Sequence, residues 1–144
     1  MPTRIPPEQV QNLQQIEVYV TGPDTANRLV TVSGQFDIGQ TVYGQPNNYG
    51  QSTNTYSVLI GPVMTNRQFY KAIGTGAIIK IFSNQQTLPS GANWNINSID
   101  ADWDDESGQV ELRMEVFVQA YGANNSVQAG GLNFQATILY AAAQ

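Results

Sequence analysis

One run of residues constrains this chain more than any other. Between Val110 and Ala120 every second position is apolar: Val110, Leu112, Met114, Val116, Val118 and Ala120. Glu111, Arg113, Glu115 and Gln119 stand between them. Successive side chains of a strand point to opposite faces, whereas a helix would spread this pattern around its circumference. The run is therefore read as a strand with one buried face, and about 12 residues at about 3.3 Å each reach roughly 40 Å. A second run, Leu132, Phe134, Ala136, Ile138 and Tyr140, repeats the pattern. A third alternates Ile99, Ala101 and Trp103 with Asp100 and Asp102, but Trp94 and Ile96 upstream have the opposite parity. Either a bulge lies between Ile96 and Ile99, or the strand changes the surface it covers there. Turn residues at 104–108 and a loop at 122–131 join these three strands, and an antiparallel meander is the expectation.

The rest of the chain is patterned more weakly. Ile16 to Thr21 alternates, with Ile16, Val18 and Val20 on one face and Glu17, Tyr19 and Thr21 on the other. Gly22-Pro23-Asp24 reads as a turn. Arg28 to Ile38 carries Val30 and Val32, with a bulge or bend expected at Gly34. Further strands are expected at Tyr56 to Val63 and at Ala77 to Phe82. Thr65 and Gln68 have capping-box spacing, Phe69 and Ile73 lie four apart, and Gly74 stands where a helix ends. A short helix near 66–73 is expected there, with a strand through the FYKAI run as the other reading. The segment 39–55, GQTVYGQPNNYGQSTNT, reads as a long Gln/Asn/Tyr/Gly-rich loop. Residues 1–15, with Pro2, Pro6 and Pro7, read as an N-terminal arm, and 16–144 as a single β domain. Several strands with one apolar stripe each point to an all-β fold. An antiparallel β-sandwich is the first expectation and a closed β-barrel the alternative.

Composition excludes whole classes of chemistry. The chain has no Cys and no His, which removes thiol and imidazole catalysis, disulfides and the usual zinc ligands. Charged residues are only 12% of the total, about half the usual share. The polar surface is consequently built from amides and hydroxyls, and little like-charge repulsion holds copies of the chain apart. Arg4, Arg28, Arg67, Lys71, Lys80 and Arg113 are scattered and the net charge is −5, so no nucleic-acid footprint is expected. No stretch is long and apolar enough to suggest a membrane helix, and the first residues lack the apolar core of a signal peptide. The chain is expected to be made in the cytoplasm and to have no membrane partner; its final compartment stays open.

No catalytic residue and no cofactor are expected. The sharpest cluster is Asp100, Asp102, Asp104, Asp105 and Glu106, whose D-x-D-x-D spacing resembles a calcium loop. It lacks the glycine and the closing glutamate of that loop, and the plainer reading is a solvated strand and an acidic turn without metal. Trp94, Trp103 and Tyr121, with Tyr43 and Tyr49, could stack on sugar rings. Ile5, Val10 and Leu13 of the arm, with Tyr43 and Tyr49 of the loop, are expected to contact other subunits. The expected function is a non-enzymatic structural subunit of a homo-oligomeric or polymeric assembly, such as a virion, tail, fibre or filament component. Its partners would be other copies of itself. The alternative is a glycan-binding β-sandwich module.

Overall fold

The computed structural model describes residues 2–22 and 25–142. The turn expected at Gly22-Pro23-Asp24 falls on residues 23 and 24, outside the described residues. In chain order the strands are β1 (Thr3–Arg4), β2 (Gln11–Gly22), β3 (Thr25–Tyr43), β4 (Tyr49–Ile60), β5 (Phe69–Asn84), β6 (Gly91–Trp103), β7 (Val110–Tyr121) and β8 (Ser126–Ala141). A single 3-10 turn at Pro7–Gln9 precedes β2.

Among the described residues the strands form two four-stranded sheets. Sheet A has the order β1-β4-β7-β6 and sheet B the order β2-β3-β8-β5. Neighbours are antiparallel except for β1, which lies parallel to β4. The fold is an all-β sandwich without a closed barrel. The two strongest sequence patterns become its two inner strands. Val110, Leu112, Met114, Val116, Val118 and Ala120 of β7 are fully buried, and face the buried Leu132, Phe134, Ala136, Ile138 and Tyr140 of β8.

The three-strand meander does not form. β6 and β7 pair in sheet A, but β8 crosses to sheet B and inserts between β3 and β5. Alternation reports that each strand has one buried face. It does not report whether two such strands lie side by side or stack across a core. The bulge expected between Ile96 and Ile99 is present. Ile96 pairs with Val116 and Ser98 with Glu115, leaving Asn97 as the extra residue. That extra residue restores Ile99 and Ala101 to the core side.

Two local expectations are corrected. Residues 66–73 are not helical: a turn at 66–68 leads into β5. The capping-box hydrogen bonds do form, from the Thr65 N–H to Gln68 Oε1 (2.9 Å) and from the Gln68 N–H to Thr65 Oγ1 (3.3 Å). They close a turn instead of starting a helix. Gly74 is not a helix end. A Cβ there would collide with Leu112 Cδ1, and one on Gly76 would lie 2.7 Å from Met114 Sδ. The two glycines are notches in β5 that receive the large side chains of β7.

The supposed loop at 39–55 is mostly strand. β3 runs to Tyr43 and β4 begins at Tyr49, so only a short turn, closed by backbone bonds between Gln45 and Asn48, joins the sheets. The polar residues that suggested a loop have partners. Gln40 is buried and its Nε2 donates to Val116 O (3.0 Å) and Ser52 Oγ (3.0 Å), while its Oε1 accepts from the Tyr56 hydroxyl (3.0 Å). This one amide fastens β3 of sheet B to β4 and β7 of sheet A.

The arm is also shorter than expected, because β2 starts at Gln11 and not Ile16. Ile5 is buried and its N–H donates to Ser57 O (2.8 Å). Val10 packs against the core beside Gly34, where a Cβ would lie 2.9 Å from Val10 Cγ1. Gly34 therefore continues β3 and makes room for the arm.

Candidate functional site

The predicted site residues do not converge. Asp104 caps its own turn: Oδ2 accepts the Ser107 N–H (3.0 Å) and hydroxyl (2.7 Å). Those bonds hold its carboxyl below the usual carboxylate range. Asp102 accepts the N–H of Trp103 (2.8 Å), and Asp100 lies in register with Arg113. Asp105 and Glu106 are exposed on the turn. Among the described residues, no group of three or more acidic side chains gathers around a common point. The acidic run is divided between a strand face and a turn.

One carboxylate of β7 is buried with partners. Glu111 accepts Arg4 Nη2 at 2.9 Å and Arg113 Nε at 2.7 Å. Burial opposes its charge, but the two guanidinium groups outweigh that cost and hold its carboxyl below the usual range. The arrangement ties β1 to the outer face of sheet A and leaves no free acid for catalysis at that position.

The aromatic residues separate as well. Trp103 packs against the core, and its Nε1 donates to Met64 O (3.0 Å) and Gly108 O (3.2 Å). These bonds and contacts give Trp103 a structural role at the end of β6. Trp94 is half-exposed on β6, in register with the inward Val118, whereas Tyr121 lies on the opposite face beside the inward Ala120. Tyr121 does have a neighbour. Its ring meets Tyr49 edge-on at 4.8 Å between centroids. Next to this pair an amide ladder crosses three strands: Gln119 Nε2 donates to Gln51 Oε1 (2.9 Å), and Asn93 Nδ2 donates to Gln119 Oε1 (2.8 Å). A shallow cleft of about 170 Å³ beside Tyr121 is bordered by Pro46, Thr87, Leu88 and Pro89. Tyr43 is exposed near the end of β3, in the other sheet.

The most unusual surface is one that sequence patterning misassigns. Every residue from Gln11 to Val20 is exposed. β2 pairs with β3 and, among the described residues, has no second strand partner. Ile16, Val18 and Val20, the apolar face of the alternation, are 65%, 49% and 41% exposed. Leu13 and Tyr19 are exposed too. The alternating segment is a strand, but its aliphatic side chains point away from the sandwich. The register shows where they point. Val18 aligns with Leu29, Leu29 with Leu139, and Ile16 with Thr31, Thr137 and Ile73 in turn. Leu29 and Thr31 alternate with the buried Val30 and Val32, so these rows lie on the outer face of sheet B. The Val18 row is aliphatic over three strands, through Leu29 and Leu139, and meets Lys71 on β5; the Ile16 row reaches Ile73 through two threonines.

The other side of β2 is occupied by polar groups. The Tyr140 hydroxyl donates to Glu17 Oε1 at 2.5 Å, Arg28 Nε lies 3.7 Å from the same oxygen, and the Arg28 guanidinium sits over the Tyr19 ring at 3.9 Å. Burial, then the hydrogen bond and charge of Glu17, push the Tyr140 hydroxyl up to about 12. The unfolded chain would ionise this tyrosine near its ordinary value of 10.0. The neutral hydroxyl thus stabilises the fold fully below about pH 10, and the contribution is lost as pH rises toward about 12. Tyr140→Phe should flatten the alkaline fall in melting temperature, as read by melts from neutral pH upward. An alkaline slope identical to that of the wild type would contradict the assignment.

No family model, characterised protein or solved structure matches this chain. No helix among the described residues is long and apolar enough to cross a membrane.

Proposed function

We propose that this chain is a non-enzymatic structural subunit of a homo-oligomeric or polymeric assembly, of the kind that builds virions, tails, fibres or filaments. The observation that carries the reading is β2: an edge strand exposed along Gln11 to Val20, with Ile16, Val18 and Val20 on its outer face, Leu13 and Tyr19 on the other, and an aliphatic row through Leu29 and Leu139 continuing from it. Isolated exposed apolar residues are ordinary, but contiguous apolar patches mark interaction surfaces. The low charge content favours close approach of like subunits. Leu13 remains available as a subunit contact, as do Tyr43 and Tyr49, all exposed. Ile5 and Val10 are committed to the chain's own core. Light scattering across a concentration series tests the reading. Mass above the 15.7 kDa of one chain, rising with concentration or fixed at a multiple, is the expected result. A monomer at every concentration would overturn it.

The second reading, a glycan-binding module, is favoured by one observation: the Tyr49–Tyr121 pair beside the amide ladder and the cleft. An exposed ring edge and fixed amides suit a sugar's apolar face and hydroxyls. Binding on a glycan array that Tyr121→Ala abolishes would support it, and an empty array would end it.

A further inference from the structure

We infer that a second copy of this chain pairs with β2 across a two-fold axis at Val18, joining two B sheets into one continuous eight-stranded sheet. The inference rests on the self-assembly reading above and specifies its geometry. Sheet edges carry unpaired N–H and C=O groups, and folded proteins usually blunt them with Lys, Pro, short length or a covering segment. β2 is 12 residues long overall, carries no Lys or Pro along Gln11 to Val20, and those residues are uncovered; its one irregularity lies between Gln11 and Gln14, so the stretch from Gln14 to Gly22 is a regular edge, with Glu17 as its one charge. A second copy fits this edge for reasons of face and charge.

An antiparallel pair about a two-fold axis normal to the sheet opposes residues whose numbers have a constant sum. It also keeps both outer faces on the same side. Placing the axis at Val18 opposes Val18 with Val18, Ile16 with Val20, and Gln14 with Gly22. The Val18–Leu29–Leu139 row then runs unbroken from one copy into the other. Glu17, the only charged residue of β2, falls opposite Tyr19. An axis one residue earlier, at Glu17, would set two carboxylates against each other, which destabilises a strand pair. An axis at Tyr19 would oppose Ile16 to Gly22 and lose an aliphatic contact. The sequence thus favours one register among its neighbours. The polar groups of Glu17, Arg28 and Tyr140 already satisfy one another on the opposite side, so pairing at the edge need not disturb them.

The absence of cysteine from the chain makes the register directly measurable. Opposed residues of antiparallel strands have Cα atoms about 4.5–5.5 Å apart, within disulfide range. Under mild oxidation with copper phenanthroline, Val18→Cys should link to itself in high yield. Ile16→Cys and Val20→Cys should link to each other when mixed, and each poorly alone. Ile73→Cys, exposed on the opposite edge strand, is the control and should stay unlinked. Val18→Lys should weaken association at least about tenfold, because two ammonium groups would face each other. Its melting temperature verifies folding. If the wild type associates but Val18→Cys links no better than Ile73→Cys, or Ile16→Cys links to itself, this pairing is wrong and self-assembly by another surface stands. If the wild type never associates, both fall.

Discussion

Replacing Leu112 by alanine should lower the stability of the fold by about 2–5 kcal/mol, the range for a fully buried large-to-small change. Leu112 is completely buried near the start of β7. Its Cδ1 occupies the space a Cβ would need at Gly74, and Gly76 accepts Met114 in the same way. The upper part of the range is expected. A cavity is cheapest when neighbouring side chains can move into it, and a glycine has none to offer. Urea unfolding of wild type and Leu112→Ala provides the measurement. The reverse substitution, Gly74→Ala, should also destabilise, since it fills the notch from the other side. A loss below about 1 kcal/mol for Leu112→Ala would show that the sheets close over the gap.

The second large effect is expected at Asn125, which is buried at one end of the sandwich. Its Oδ1 accepts the N–H groups of Gln86 (2.6 Å) and Thr87 (2.9 Å). Its Nδ2 donates to Thr87 O (3.1 Å) and Tyr121 O (2.7 Å). Its own carbonyl receives the Gly44 N–H (2.8 Å). One residue thereby fastens the β5–β6 loop, the β7–β8 turn and the β3–β4 crossover. Asn125→Ala strips a partner from backbone groups of Gln86, Thr87 and Tyr121 at once, and each such group left shielded from water costs about 1–3 kcal/mol. A total loss of about 3 kcal/mol or more is expected on unfolding in urea. Asn125→Asp should not rescue it, because a carboxylate can replace Oδ1 but only repels the two carbonyls that Nδ2 serves. Near-wild-type stability in either variant would mean that water takes over these bonds.

What was legible in the sequence follows from what alternation can encode. β7, β8 and the Asn97 bulge were readable because one face of each strand is buried without interruption. The sandwich followed from them. The ends of β3 and β4 were not readable, since Gln40, Ser52 and Tyr56 satisfy one another through side-chain bonds that leave no apolar stripe. β5 was obscured by Gly74 and Gly76, whose reason lies on a different strand. Asn125 stood in a polar Asn-Asn-Ser stretch with nothing to separate it from a solvated loop. β2 was found as a strand, but period two cannot tell a face that meets the core from one that meets nothing. Of the candidate surfaces, the sequence marks Tyr49 and Tyr121 by residue type but not the amide ladder beside them. The chemistry of that ladder depends on three strands coming into register.

The strand order has a consequence for the time course of folding. β7 separates β4 from β6, and β8 separates β3 from β5. In both sheets the central strand is therefore the last of its sheet to leave the ribosome, after the strands it must hold together. Until β8 emerges, sheet B exists only as a β2–β3 hairpin and a detached β5, whose apolar faces have nothing to close against. Pairings this distant in sequence form slowly. A nascent chain would spend most of its synthesis with unpaired edges exposed, and chaperone demand should fall abruptly only once the last strand is released.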